Sequence, residues 1–246
     1  MAKVEWVFGI HAVQALLKSA PQRIQLIQLV QGRQDQRMQK LLAAANNHNI
    51  NLEYVERKQL DQSCAGKHQG VLARVVPGQQ RDEQFLFELL DNLTGEPLVL
   101  VLDGVTDPHN LGACLRSADA AGVHAVVIPK DNSAGLNEAA RKVASGAAET
   151  VPLIPVTNLA RTLDKLKAKG LWLAGTDGDA QQTLYQADLS GPRVLVMGAE
   201  GSGMRRLTRE KCDMLIKIPM CGSVSSLNVS VATGVVLFEV LRQRGL

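Results

Sequence analysis

The chain has 246 residues, 46% of them hydrophobic and 21% charged, with a formal net charge of +3 at pH 7. This balance is typical of a globular protein with a packed core, and it disfavours a collagen-like, coiled-coil or disordered chain. The sequence does not open with a basic stretch followed by an apolar segment, and apolar runs such as residues 98–102 are too short to span a bilayer, so we expect a cytoplasmic protein that does not bind a membrane.

Charge is distributed unevenly along the chain. Residues 1–80 contain ten Lys or Arg and five Asp or Glu, a net charge of +5, whereas residues 81–246 contain 17 and 19, a net charge of −2. A basic module joined to a nearly neutral one suggests that the first binds a polyanion and the second carries out the chemistry. Ordinary variation in surface charge explains the same numbers equally well.

The four cysteines contain no C-x-x-C pair: Cys64, Cys114, Cys212 and Cys221. Their spacing does not match a metal site, and a disulfide framework is not expected in an intracellular chain of this size. We interpret them as reduced, mostly buried thiols.

The first part of the chain alternates between helical and strand-like patterns. Apolar residues repeat at helical spacing over residues 10–18, and Asp35 is placed to cap a second helix that continues to Asn47. Three further stretches resemble strands: residues 23–30, 50–55 and 70–76. These elements predict a small α/β domain over residues 1–77. A linker and lead-in helix follow over residues 78–96, introduced by the polar stretch from Pro77 to Gln84.

Residues 97–246 alternate between short apolar runs and helical patterns. The apolar runs predict strands covered on both faces: 97–103, 123–128, 171–175, 193–198 and 214–219. Helices are predicted between them at 108–121, 137–148 and 158–169. A last helix, residues 228–244, is so apolar that it must be buried against its own sheet or a second subunit. The alternation predicts an α/β domain with a mostly parallel sheet over residues 97–246.

Ligands of open α/β sheets bind beyond the carboxyl ends of the strands, and three strand exits here have unusual content. After the first strand, Asp107 and Pro108 are suited to begin a helix, which places Asn110 in its first turn near the positive end of the dipole. Arg116 follows six residues later, and Gly112 and Ala113 lack bulk, which allows a close approach to the helix there. A structural interpretation, in which Asn110 caps the helix and Arg116 is a surface cation, fits the same spacing.

The second exit contains three glycines in six residues, from Gly198 to Gly203, which permit positive φ and a close approach to a ligand. Glu200 in their midst argues against a phosphate ligand. Neither the dinucleotide-binding nor the NTP-binding glycine motif occurs in the chain. A ligand with a positive centre fits better, although a plain turn is the alternative.

The third exit leads through several serines into the last helix, which Ser225 or Ser226 is placed to cap. Asn228 lies at the start of this apolar helix. A buried amide there needs hydrogen-bond partners, and a ligand or the first exit would supply them.

Together the three exits resemble the TrmH-type RNA 2′-O-methyltransferases of the SPOUT class. The shared motifs are N-x-x-x-x-x-R from Asn110, (V/L)-x-G-x-E-G-x-G around Glu200, and I-P-M-x-G-x-x-x-S-L-N-V-S-x-A from Ile218. Residues 8–13 (FGIHAV) similarly resemble the opening of this family's substrate-binding domain, whose fold is similar to ribosomal protein L30 and L7Ae-type RNA binders.

The resemblance implies a deep trefoil knot in the parallel-sheet domain, a homodimer without metal, and S-adenosylmethionine as cofactor. It also implies methyl transfer to the ribose 2′-hydroxyl of a guanosine in 23S rRNA. Carried over by position, Gly198, Ile218 and Leu227 contact the cofactor. The polar active-site set is Asn110, Arg116, Glu200, Ser226 and Asn228.

Methyl transfer from a sulfonium requires alignment of the reactants and removal of the hydroxyl proton. His109 and Glu200 are the ordinary candidate bases, whereas the resemblance favours Arg116, although a guanidinium normally stays protonated. Arg116 could act as the base only if the RNA phosphate and neighbours such as Asn228 and Glu200 reorganise its environment. The alternative is that Arg116 positions a phosphate and stabilises the alkoxide while another group or water takes the proton.

Three other functions are compatible with parts of the pattern: a tRNA ribose methyltransferase, a non-catalytic RNA-binding protein, and an oxidoreductase or other nucleotide enzyme. The missing glycine motifs argue against the last of these. Since the chain has only eight aromatic residues, we expect it to recognise RNA by shape and phosphate rather than by base stacking on an aromatic platform.

Overall fold

The computed structural model describes residues 5–33, 35–63, 68–76 and 81–246. They form two compact units, one within residues 1–80 together with 145–150, and the other within residues 81–144 and 151–246.

The first unit contains a sheet of four described strands: β1 (Glu5–Phe8), β2 (Ile24–Val30), β3 (Leu52–Val55) and β4 (Val71–Val75). They lie in the order β1-β4-β2-β3, with β2 and β3 parallel and the other pairs antiparallel. Its first helices are α1 (Ile10–Ser19), α2 (Gln36–Asn47) and α3 (Arg57–Ser63). The predicted strands and first two helices are confirmed, and β1 and α3 are additional.

The helices of the first unit cover both faces of this sheet. Leu16 of α1 and Leu41 of α2 pack with Ile27 of β2 in one core, and Leu60 of α3 packs with Leu72 of β4 in another. As predicted, α2 begins at Asp35, whose carboxylate accepts hydrogen bonds from the backbone N–H groups of Arg37 and Met38 at 3.0 and 3.1 Å.

The remaining helices are α4 (Glu83–Asp91), α5 (Pro108–Ala120), α6 (Glu138–Ala144), α7 (Ala147–Thr150), α8 (Leu159–Ala168), α9 (Arg206–Lys211) and α10 (Val229–Gln243). The remaining strands are β5 (Leu98–Asp103), β6 (Ala125–Pro129), β7 (Leu153–Val156), β8 (Trp172–Thr176), β9 (Gln182–Thr183), β10 (Arg193–Gly198) and β11 (Met214–Lys217). Within the described residues, these seven strands form one sheet in the order β7-β6-β5-β10-β8-β11-β9, and every pairing is parallel. The predicted α/β domain with a parallel sheet is therefore confirmed. The trefoil knot stays a prediction.

Helices cover both faces of the parallel sheet, as the continuous apolar runs predict. Leu86 of α4 and Leu163 of α8 pack with Val99 and Val194 in one core. On the other face α10 contacts α5 and β10. Each of β5, β6 and β10 is consequently buried along nearly its whole length.

The predicted extents of one helix and of the polar linker were wrong. The single helix predicted over 137–148 is broken at Ser145 and Gly146, whose φ angles of 53° and 102° are incompatible with a continuous helix. The polar stretch predicted as a linker ends earlier than expected, because Asp82 caps α4 and Glu83 already belongs to it. Residues 77–80 of that stretch lie outside the described residues.

The absence of a side chain at Gly112 is what lets α5 and α6 pack closely. A Cβ at Gly112 would lie 2.5 Å from the backbone oxygen of Ala140 and 2.8 Å from Cβ of Val143. The expectation of a close approach to α5 at this glycine is therefore confirmed, and the element that approaches is α6.

No helix in the described part of the chain is long and apolar enough to cross a membrane.

Gly112→Ala is expected to lower the free energy of unfolding by about 1–3 kcal/mol, because the new methyl group forces apart two packed helices. Gly135→Ala is the control: its Cβ meets no atom within 4 Å, so stability should stay constant or rise by up to about 1 kcal/mol. Urea unfolding of both variants measures the difference, and equal stability of the two would contradict this packing argument.

Candidate active site

The three strand exits meet at the carboxylate of Glu200, which follows β10. Its Oε1 accepts hydrogen bonds from the backbone N–H of Val229 at 3.2 Å and from Nδ2 of Asn110 at 3.4 Å. Nδ2 of Asn228 also donates to this oxygen and to Oδ1 of Asn110, the latter at 3.0 Å. One polar network thus joins the loops after β5, β10 and β11.

Asn228 itself caps α10, so neither Ser225 nor Ser226 has the predicted capping role. Its Oδ1 accepts from the backbone N–H of Ser230 at 2.9 Å and from the Ser230 hydroxyl at 2.6 Å. The side chain is exposed rather than buried, contrary to expectation. The expectation that the first exit supplies a partner for its amide is confirmed by the hydrogen bond with Asn110.

The glycines of the second exit make a tight turn possible. Ala199 and Gly203 exchange two backbone hydrogen bonds of 3.0 Å, and Gly201 and Gly203 have φ angles of 78° and 66°. A Cβ at Gly198 would lie only 2.3 Å from the backbone nitrogen of Met204. Only glycine therefore allows the returning chain to lie against the end of β10.

A buried carboxylate fixes the far end of this turn. Asp103, the last residue of β5, accepts hydrogen bonds from the backbone N–H of Arg205 at 2.9 Å and from its Nε at 2.6 Å. The side chain of Asp103 is fully buried, whereas that of Arg205 is 53% exposed. The end of β5 is thereby tied to the segment that follows the glycine turn.

A solvent-open cavity of about 670 Å³ lies beside the network. Its lining includes all three predicted cofactor-binding residues, Gly198, Ile218 and Leu227, and two of the predicted polar set, Glu200 and Ser226. Its combination of apolar and polar walls suits a small-molecule ligand.

A fourth strand exit, after β8, also lines the cavity through Thr176, Asp177 and Gly178. The Arg209 guanidinium, whose Nε lies 2.5 Å from Oδ2 of Asp177, holds the pKa of that carboxyl below its usual value, so the group is ionised at neutral pH. These residues were not predicted from the sequence, although the rule that ligands bind at strand exits applies equally to β8.

Arg116 lies apart from the other predicted active-site residues. Its side chain is exposed on α5, outside the cavity lining, and it forms no hydrogen bond or ion pair with any residue that the structure describes. His109 is also exposed, and its Nδ1 lies 3.2 Å from Oδ1 of Asp107, the cap of α5. Within one chain, therefore, the structure brings together Asn110, Glu200 and Asn228 but not Arg116.

Two of the cysteines are protected thiols. Burial raises the pKa of Cys114 to about 11 and that of Cys212 to about 12, so both are neutral at pH 7. Cys221 is exposed, and Cys64 lies outside the described residues. Among the residues described, no group of three or more His, Cys, Asp or Glu side chains is arranged to hold a metal ion.

The profile of the SpoU rRNA Methylase family matches residues 97–238, which contain all of the cavity and the polar network. The chain belongs to this family. A second profile, RNA 2′-O ribose methyltransferase substrate binding, matches residues 6–81. The resemblance to TrmH-type enzymes is thus confirmed at the level of the SpoU family.

Individual SpoU relatives match nearly the whole chain. It is 61% identical over 244 residues to the 23S rRNA (guanosine-2′-O-)-methyltransferase RlmB of Pseudomonas aeruginosa, covering 99% of this chain and 98% of that one. The protein of the same name from Escherichia coli K12 is 59% identical over 241 residues, covering 98% and 99%. The crystal structure of the SpoU methyltransferase AviRb from Streptomyces viridochromogenes, in complex with the cofactor AdoMet, superposes with a TM-score of 0.79 at 22% identity, covering 98% and 90%.

Asp103→Ala is expected to lower the free energy of unfolding by about 2–4 kcal/mol, because it leaves the N–H of Arg205 without its buried acceptor. Glu210→Ala is the control. It removes an exposed ion pair with Arg206 on α9, and such pairs contribute about 0.5 kcal/mol or less. Thermal unfolding separates the two variants, and an Asp103→Ala protein as stable as the Glu210→Ala protein would contradict the proposed tie.

Proposed function

We propose that this chain transfers a methyl group from S-adenosylmethionine to the ribose 2′-hydroxyl of a guanosine in 23S rRNA. The observation that carries the proposal is the position of the cavity, since Glu200 belongs both to its lining and to the network with Asn110 and Asn228. A cofactor bound there would lie against polar groups able to orient a second substrate. Relatives of about 60% identity that carry this activity in their names support it.

The residues of the cavity fit S-adenosylmethionine, a ligand with an apolar ring system and a cationic centre. Ile218 and Leu227 would contact its apolar part, and the missing side chain at Gly198 lets the glycine turn that lines the cavity close against the end of β10. Asp177 and Glu200 place two carboxylates in the same lining, which suits a cation and disfavours a nucleoside phosphate. When bound, the cofactor supplies a methyl group already activated by its sulfonium.

The polar residues then have to orient the ribose and allow the proton of its 2′-hydroxyl to be removed. Glu200 is fixed by three donors, so it keeps its place when substrate arrives, and Asn110, Ser226 and Asn228 are proposed to orient the ribose. Arg116 is proposed to contact the RNA and stabilise the developing alkoxide. Its guanidinium, exposed and without a carboxylate partner among the described residues, is available for that role.

The active form is proposed to be a homodimer in the cytoplasm. In one chain α10 buries one face, but Val231 and Phe238 remain 52% and 53% exposed, and half-buried Val235 lies between them on the same face. Such an apolar stripe on an otherwise buried helix favours a second subunit as its cover. We further propose that residues 1–77 bind and recognise the RNA, that residues 78–96 link the two domains, and that residues 97–246 carry out methylation.

Transfer of tritium from methyl-labelled S-adenosylmethionine tests the proposed reaction. The purified chain should label an unmodified 23S rRNA transcript, and ribose mapping should locate the label on one guanosine 2′-oxygen. A tRNA transcript is the comparison substrate. Preferential labelling of the tRNA would assign a different substrate, and absence of labelling in both would leave an RNA-binding role only.

Gly198→Ala should weaken binding of S-adenosylmethionine, with Kd raised at least about 100-fold, because its Cβ displaces the glycine turn that lines the cavity. The control is Gly222→Ala in the third exit, whose Cβ meets no atom within 4 Å and whose Kd should stay unchanged. Isothermal titration calorimetry measures both. Wild-type affinity in Gly198→Ala would place the cofactor elsewhere.

Arg116→Ala should lower kcat for RNA methylation by about 100-fold or more while the Kd for S-adenosylmethionine stays constant, since loss of a donor to a developing oxyanion affects the chemical step. Lys142→Ala on α6 is the control, an exposed cation that likewise forms no ion pair with the described residues. Full turnover in Arg116→Ala, or an equal loss in Lys142→Ala, would remove Arg116 from the mechanism.

A further inference from the structure

The sequence around α1, β2 and α2 is nearly free of carboxylates. Residues 6–52 contain one acid, Asp35, against five Lys or Arg and twelve Asn or Gln. That acid is already engaged, because it caps α2 and forms an ion pair with Arg33. The surface that these residues build therefore attracts a polyanion and offers many amide groups for hydrogen bonding.

A depression of about 590 Å³ opens on this surface where α2 ends and β2 begins. Five exposed polar residues line it, Gln22, Gln25, His48, Asn49 and Asn51. None of their side chains is hydrogen-bonded to another residue in the described part of the chain. Buried Ile24 and the half-buried residues Pro21 and Ile50 complete the lining with apolar surface. An apolar wall ringed by free amides matches the face and edge of a nucleobase.

A line of residues on α2 leads to this depression. Arg37, Lys40, Ala44 and Asn47 follow one another at spacings of three and four, which places them on one side of the helix. Arg37 and Lys40 are exposed, and neither side chain forms an ion pair with the residues that the structure describes. This line therefore offers two free cations to successive phosphates of a nucleic-acid strand.

The dipole of α2 distinguishes the two ends of the surface. The C-terminal end, which carries partial negative charge, lies at the depression, where His48 caps the helix. A phosphate is disfavoured there, whereas a neutral base with amino donors is favoured. The phosphates belong instead along the cationic line.

We propose that this surface reads an unpaired nucleotide of the RNA substrate, with its base in the depression and the neighbouring phosphates along Arg37 and Lys40. The proposal rests on the proposed function, because it assumes that the chain binds RNA. The first unit would thus contact a base directly through amide groups rather than by stacking on aromatic side chains, of which it has few.

Three double variants of the full chain test the two halves of this surface. Gln25→Ala with Asn49→Gly removes amides from the depression, and glycine preserves the φ of 52° at position 49. Arg37→Gln with Lys40→Gln removes the cationic line. Arg57→Gln with Lys58→Gln on α3 is the control, with the same change in charge at two exposed cations of the same unit. Each is measured for thermal stability, affinity for S-adenosylmethionine, binding of a 23S rRNA transcript over a salt series, and methylation.

The Arg37/Lys40 variant should weaken RNA binding at least about tenfold and reduce the salt slope by about two, one for each phosphate that the variant no longer neutralises. The Gln25/Asn49 variant should lower kcat/KM at the target guanosine by about tenfold with the salt slope unchanged, since hydrogen bonds to a base specify the sequence and do not neutralise phosphates. Cofactor affinity and stability should match the wild type in both.

Wild-type RNA binding and methylation in the first two variants, or an equal loss in the Arg57/Lys58 control, would overturn this assignment. If the wild-type chain itself neither bound nor methylated the transcript, the proposed function would fail instead. The two failures are thus distinguishable.

Discussion

The candidate site depends on one carboxylate that joins three segments distant in sequence. Glu200 follows β10, Asn110 belongs to the helix after β5, and Asn228 begins the helix after β11. Because β10 is inserted between β5 and β8, the exits of β5 and β10 are neighbours at the carboxyl edge. The sheet order thus brings the donors within reach of a single acceptor, and the cavity lies beside that junction.

The second constraint is that backbone segments pack closely against each other where glycine has no side chain. The chain after the glycine turn lies against the end of β10 because Gly198 has no side chain, and the buried Asp103 holds that chain through Arg205. Farther along α5, Gly112 allows α6 to pack against the same helix that carries Asn110. Close packing of this kind resists deformation, so the polar groups are positioned before any ligand binds.

Patterns that depend on local physics predicted the fold well. The uninterrupted apolar runs predicted the central strands of the parallel sheet, because strands covered on both faces have no polar positions. Asp35 and Asp107 marked helix starts correctly, since a carboxylate at the cap satisfies free N–H groups. The break at Ser145 and Gly146 was missed although a Ser-Gly pair is itself a turn signal, because the helical spacing on either side of it was given more weight.

The site was harder to predict than the fold because its interactions connect separate segments. The small size of Gly112 predicted a close approach to α5, but size alone does not show whether a ligand or another helix makes that approach. Asp177 was overlooked since its exit has no run of glycines or serines, and its importance lies in its position beside the cavity. Arg116 remains a proposal from family resemblance, because within one chain it touches none of the groups it is expected to assist.

A crystal structure of the chain with S-adenosylmethionine bound would locate the cofactor relative to the network around Glu200. We predict that the cofactor lies between the exits of β8, β10 and β11, in contact with Gly198, Ile218 and Leu227, with its methyl group directed toward Asn110 and Asn228. A cofactor bound outside this cavity, or a complex in which Glu200 no longer joins Asn110 to Asn228, would contradict it.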